Sequence, residues 1–503
     1  MNRDKLPQGS TAALVLILGS LVWSLLGTGL QLLANTQLLV PLLDRLIAAP
    51  WFGYGRLVPA SQFLLSYGWL GSGLLGVLLI LAPRFSGIAF RYGRLLFGGA
   101  LLWQLAILGG LTQILLEGPS GLIGLPQSRF VSILLIFSFL VLGTGLTRGL
   151  GRSWKSGPLL PRLYLLLGLL AFPLGLGTAE ALLRGTSAPG SVQIITQVLW
   201  HSFHQHLWLA PLGLVLIFQL LPTLTGRAVS SLNLGLLAWV ATCLLGGWLG
   251  TVRVSDGPIP SWMQSAGVLA AILMGVVALG NGLLVQNLTE GRWEEVRRNV
   301  ALRFIAVGAW SYASAYVILA FLGLPWIRPV MAFTVAWPAF FEVFHYLFLG
   351  SVLAGAIYAL LPVSREIGWP DSSALTWHFW CTTLGSVTTA SCLLLAGSFQ
   401  GLALNDPGVP MSTLASYLRP FLFVVIFSQA AWLVGQIAFS AVLFASLLKL
   451  FPAAAPMAVF RNPTVIRPAS VGGDLESIRI CLGASRLFRE EPRMGRAGGV
   501  LFE

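Results

Sequence analysis

The sequence predicts an all-α, polytopic membrane protein, a twelve-transmembrane-helix bundle, and three observations predict it. Of 503 residues, 56% are hydrophobic and 9% charged, against about half and about a quarter in soluble domains. Mean hydropathy is +0.83. Apolar runs recur at the roughly 20 residues that cross a hydrocarbon core as a helix, and closed β-barrels lack such continuous runs.

Gly, Pro and Arg punctuation sets the spans in order. The first, near 12–34, follows the charged head around Arg3 and Lys5; with no A-x-A cleavage site behind it, it is expected to stay as a helix. Spans near 60–82, 95–116 and 130–147 lie between Pro59 and Arg84, Arg94 and Gly118, and Arg129 and Arg148. Those near 160–182 and 194–222 are bounded by Pro158 and Arg184, then Pro189 and Gly226. The next pair, near 231–250 and 261–286, sits between Arg227 and Arg253, and between Pro260 and Gly291. Spans near 302–324 and 332–361 end at Pro325 and Pro362, and the last two fall near 373–397 and 417–448. From about Phe451 the chain turns polar with seven arginines, which divides it into a membrane domain over 1–450 and a basic tail over 451–503.

The net charge of +13 reads as membrane topology, not as a nucleic-acid surface. One side collects Arg3, Lys5, Arg84, Arg91, Arg94, Arg148, Arg152, Lys155, Arg162, Arg292, Arg297, Arg298 and Arg303. The positive-inside rule then makes both termini and the tail cytoplasmic. Cys243, Cys381, Cys392 and Cys481 show no CxxC or CxxCH spacing, so no thiolate metal knuckle or covalent c-type heme is encoded. No Walker or GxGxxG loop and no repeat of 20–50 residues occurs.

Three of the five histidines fall in WHSFHQHLWLAPLG: His201, His204 and His206. On a helix His201 and His204 share a face, and His206 lies roughly 160° from His204. Glu342 stands in the apolar run FTVAWPAFFEVFHYLFLG, three residues before His345. A carboxylate at membrane depth costs about 2.5–3.5 kcal/mol on insertion scales, which marks Glu342 as a proton-handling candidate, with His345 as its expected partner. Glu180 and Arg184 form an i, i+4 pair expected to cap the outer surface.

Several junctions carry a family resemblance. WFGYGRLVPAS precedes the second span, LLPTLTGR follows the sixth, IPSWMQSAG precedes the eighth and NGLLVQNLTEGRWEEVRRNVALRF follows it. GAIYALLP, TWHFWCTTLG and LLAGSFQGLAL mark the last helices. In this order they resemble subunit I of the heme-copper oxidase superfamily, in particular cbb-type cytochrome c oxidases and the nitric oxide reductase large subunit. The resemblance covers most of the membrane region.

That resemblance implies a low-spin heme on two histidines, a high-spin heme on one, and a copper or iron on three. Carried over position by position, most ligands are missing. The second-helix ligand falls on Ser61, the adjacent seventh-helix pair on Val252 and Arg253, and the modified tyrosine on Gly246. The tenth-helix His-x-His falls on Phe340 and Glu342, or on Val343 and His345 with a three-residue shift. The sixth-helix ligand falls on Ser202, with His201 one residue and His204 two residues away, and His378 matches a non-ligand histidine. In the family's architecture the sixth and tenth helices border one cavity, where Arg253 would be a fixed positive charge.

The expectation is a degenerate, non-catalytic scaffold subunit of a respiratory electron-transfer complex, without oxygen or nitric oxide reduction and with no cofactor. Its partners would be the bilayer and subunits such as c-type cytochromes, with no nucleic acid. One alternative is a redox subunit holding one heme b on a reduced ligand set drawn from His201, His204, His206 and His345. A further alternative is a transporter on the same scaffold.

Overall fold

The computed structural model describes residues 10–40, 49–86, 92–122, 124–151, 158–185, 189–254, 257–365, 368–370 and 373–448. The tail expected over 451–503, and Arg3, Lys5, Arg91, Arg152 and Lys155, lie outside the described residues.

Among the described residues twelve apolar helices follow one another: α1 (Thr11–Leu39), α2 (Tyr54–Pro83), α3 (Gly93–Leu116), α4 (Arg129–Thr147), α5 (Leu159–Arg184), α6 (Gly190–Thr225), α7 (Leu232–Leu245), α8 (Ser261–Thr289), α9 (Val300–Gly323), α10 (Trp337–Pro362), α11 (Ser373–Leu404) and α12 (Met411–Leu447). Eleven are long and apolar enough to cross a membrane. The exception is α7, whose 14 residues rise about 21 Å against a core of about 30 Å. It stops short of the expected Gly250 because the chain passes Gly246–Gly247 into a 3-10 turn over Leu249–Val254. The tenth span also starts later than expected, at Trp337. A short helix over Arg328–Met331 and a bend at Phe333, with φ at 59°, come first.

Helix ends follow local chemistry. Ser231 Oγ accepts from Leu234 N–H to open α7, and Asn299 Oδ1 accepts from Leu302 N–H to open α9. Gly226, at φ +66°, closes α6. The loop after α8 carries surface ion pairs of Arg292 with Glu295 and of Glu294 with Arg297 and Arg298. The Arg297 guanidinium beside Glu294 holds its carboxyl below the usual range.

Sequence neighbours α1–α2, α3–α4, α5–α6, α7–α8, α8–α9, α9–α10 and α11–α12 pack together, and α12 returns to α1. Three helices form the centre: the apolar windows of α2, α6 and α10 are 89%, 83% and 83% buried, against 28% for α12.

Several of the quoted motifs now have a structural cause. In GRLVPAS, Arg56 donates to the Leu115 and Leu116 carbonyls at the end of α3. The GAIYALLP and TWHFW motifs meet where Tyr358 Oη bonds His378 Nδ1 at 2.9 Å, with His378 stacked on Phe439. In GSFQG, Gln400 Oε1 accepts from Val335 N–H at 2.8 Å, and Gly397 and Gly401 let the segment before α10 lie directly on α11.

Candidate functional site

The three central helices each widen midway into π-helical turns, over Leu64–Gly71, Phe203–Leu209 and Glu342–Gly350. Such turns bond residue i to i+5 and concentrate at functional sites. Here they touch pairwise. Tyr67 and His204 rings lie 5.0 Å apart, Trp69 and Tyr346 rings 5.4 Å, and Gln205 reaches His345.

Gln205 is the joint between α6 and α10. Its Oε1 accepts from His345 Nε2 at 2.6 Å and its Nε2 donates to His204 Nδ1 at 3.1 Å. A glutamine amide therefore stands between the two histidines expected to border one cavity. His345 is half-buried and turns to Gln205 instead of Glu342, so the expected Glu342–His345 pair is not formed; the wide turns rotate the two residues apart. Glu342 is buried and faces the Ser386 hydroxyl of α11, with the Tyr346 phenol nearby. His206 points elsewhere, bonding Tyr316 Oη at 2.9 Å among Phe340 and Phe344. His201 is half-buried and edge-on to Phe341.

The remaining expected ligand positions are occupied by protein–protein contacts. Ser61 Oγ donates to Gln31 Oε1 of α1 at 2.7 Å. Ser202 Oγ accepts from Gly250 N–H at 2.6 Å, tying α6 to the 3-10 turn. Val252 is buried against Gly323, and Gly246 presses on Leu207. Arg253 holds its guanidinium 5.6 Å over the Phe341 ring, which also meets His201 and His345, so the expected positive charge stands beside these histidines, on a 3-10 turn where a helix was expected.

The pair Glu180–Arg184 goes further than a surface cap. Arg184 Nη1 binds both carboxylate oxygens at 2.7 and 3.0 Å, and Nη2 binds the Leu125 and Gln127 carbonyls. It clamps the loop between α3 and α4 onto α5.

Four observations test whether a heme fits these residues. His201 Nε2 and His204 Nε2 are buried without a hydrogen-bond partner, as an axial ligand would offer. The space around His204, however, is filled by the rings of Tyr67, Trp200 and Trp208 at 5.0–5.5 Å. Between α2 and α10, Trp69 packs on Tyr346 and Trp432, leaving a cavity of about 10 Å³, whereas ligand pockets run to about 300–1,000 Å³. Among the described residues no three His, Cys, Asp or Glu side chains gather as a metal-holding group. Around His204 and Trp69 the side chains leave no room for a heme.

Sequence reasoning missed Gln205 and Tyr67, and a second polar nest in which Tyr164, Thr242, Asn281 and Tyr312 converge from α5, α7, α8 and α9. Their shared signal is a polar side chain inside an apolar helix. Replacing Gln205 by leucine leaves His204 Nδ1 and His345 Nε2 without their partner. The expected loss is about 1–3 kcal/mol, read as a lower melting temperature of the purified protein. An unchanged melting point would remove Gln205 from this role.

A bundle of twelve apolar helices around α2, α6 and α10, with the expected ligand positions turned to internal contacts, defines the class: a helical integral membrane protein of the oxidase subunit I architecture. The family described as "Cytochrome C and Quinol oxidase polypeptide I" matches residues 11–454, and the chain belongs to that family. It is similar to a "Cytochrome c oxidase subunit 1 homolog" of Azorhizobium caulinodans, 24% identical over 76% of this chain and 70% of the relative. The cbb3-type cytochrome c oxidase subunit CcoN1 of Stutzerimonas stutzeri is 21% identical over 77% and 84%. A cryo-EM structure of a heme-copper terminal oxidase dimer shares the fold, with TM-score 0.65 and 12% identity over 88% of this chain and 85% of that one.

Proposed function

We propose that this chain is a non-catalytic scaffold subunit of a respiratory electron-transfer complex in a bacterial inner membrane. In this reading both termini and the basic tail are cytoplasmic, and partner subunits such as c-type cytochromes supply the redox groups. One observation carries it: Ser61, Ser202, Val252 and Gln205 occupy or adjoin the expected ligand positions and bind or pack against protein atoms of other helices and turns. Glu342, the proton-handling candidate, serves here as a contact between α10 and α11.

The test is to purify the tagged full-length chain from its native membranes and to assay oxygen and nitric oxide consumption. Heme-staining c-type cytochromes should co-purify, and the chain expressed alone should reduce neither gas. Reduction that disappears in His345→Ala would sink the proposal. The unpartnered Nε2 atoms of His201 and His204 favour a second reading, a redox subunit holding one heme b on this reduced set. A bis-histidine or five-coordinate spectrum abolished by His345→Ala would identify it.

A further inference from the structure

We infer that this chain folds and inserts into the membrane without heme or copper, because its own side chains brace the helices that a cofactor would otherwise cross-link. The inference rests on the scaffold reading and deepens it. Three braces converge on the central helices. Ser61 bonds Gln31, fastening α2 to α1. Gln205 joins α6 to α10 through its amide oxygen, which accepts from His345, while its amide nitrogen is fixed on α6 by His204. Trp69, Tyr346 and Trp432 form an aromatic trio, Trp432 edge-on to the other two and those two tilted, with ring centroids 4.9–5.4 Å apart, that ties α2, α10 and α12 together.

These braces need room that a bound macrocycle would take. Gly350 shows how closely α2 and α10 approach: a Cβ there would lie 2.7 Å from Trp69 Cη2. A site emptied of its cofactor but built around it would leave a large void, and interiors do not sustain such voids without loss of stability. Large aromatic side chains, which bury about 150–250 Å² each, take up that space here. Trp69 has 3% of its surface exposed and Trp432 2%, as filler in a closed core does.

The experiment expresses the full-length chain alone in a heme-synthesis mutant, with and without 5-aminolevulinate, and in copper-depleted medium. Folded protein in the membrane, counted by size-exclusion in detergent, should reach the same yield in every condition and melt at the same temperature. Protein from replete cells should show no Soret band. Loss of folded protein on heme or copper depletion overturns the inference, as does near-stoichiometric heme in the replete sample. A bound heme without oxygen or nitric oxide reduction removes this inference and leaves the scaffold reading standing, whereas gas reduction removes both. Gln205→Leu and Trp69→Ala add an independent readout. Each should lower the melting temperature equally with and without heme supply, and a loss that heme rescues counts against it.

Discussion

Arg184→Leu is expected to destabilise the protein by about 3 kcal/mol, the lower end of the 3–5 kcal/mol that follows when one partner of a buried ion pair is removed. Glu180 is the reason. Its side chain is 6% exposed and depends on Arg184 for both carboxylate oxygens, so the leucine variant strands a buried charge. The Arg184 end, 17% exposed, has some access to its surroundings, which places the effect low in the range. The substitution also releases the Leu125 and Gln127 carbonyls, and with them the loop over α3 and α4. Thermal melting in detergent and protease sensitivity of residues 117–128 report the two effects separately. Adding Glu180→Gln should recover part of the loss, since the stranded charge goes with it. If the single variant melts with the parent, the pair is ornamental.

The second large effect is expected at Gly401. A Cβ there would lie 1.6 Å from the Val330 carbonyl oxygen and 2.6 Å from its carbon, and backbone cannot swing aside as a side chain can. Gly401→Val should therefore cost at least the upper part of the about 1–3 kcal/mol typical of overpacking. The shift it forces also strains the neighbouring contacts, namely Gln400 with Val335 and Asn405 with Pro329. Gly109→Ala on α3, where nothing lies within 4 Å, is the control. There the change should be neutral or stabilising by up to about 1 kcal/mol, through helix propensity alone. Melting curves that rank the two variants the other way would contradict the packing described.

Much of the fold was legible because lipid leaves a chain few options. Continuous apolar length fixed the number of helices, and Gly226, Pro260 and Asn299 fixed where several begin and end. The motifs behind the family resemblance were legible for a different reason. Arg56, Tyr358, His378, Gln400 and Gly401 make contacts between helices, which tie each quoted motif to a packing role. The site was harder to read. Periodicity assumes a constant turn, and in α2, α6 and α10 the turn widens within the stretches that carry Tyr67, His204, Gln205, Glu342 and His345. Facing relations counted along an ideal helix drift there, so His345 was paired with Glu342 instead of Gln205. Arg253 stands on a 3-10 turn and not on a helix because α7 ends early, which no hydropathy window registers.

The wide turns also shape how this protein can change. Deleting one residue from Phe203–Leu209 would tighten that stretch to ordinary helix and leave everything after it close to its present orientation, because a wide turn takes up one residue more than an ordinary helix does. Leu212, Leu216 and Leu220 would stay buried and Gly213 would stay against Phe348 and Leu349, while Gln205 and His206, inside the wide stretch, would be re-aimed. The frame on either side therefore tolerates a change that the stretch between does not. A helix of this kind can exchange its side chains freely and still be held to its old register, which is how a site can be rewritten while its frame stays fixed.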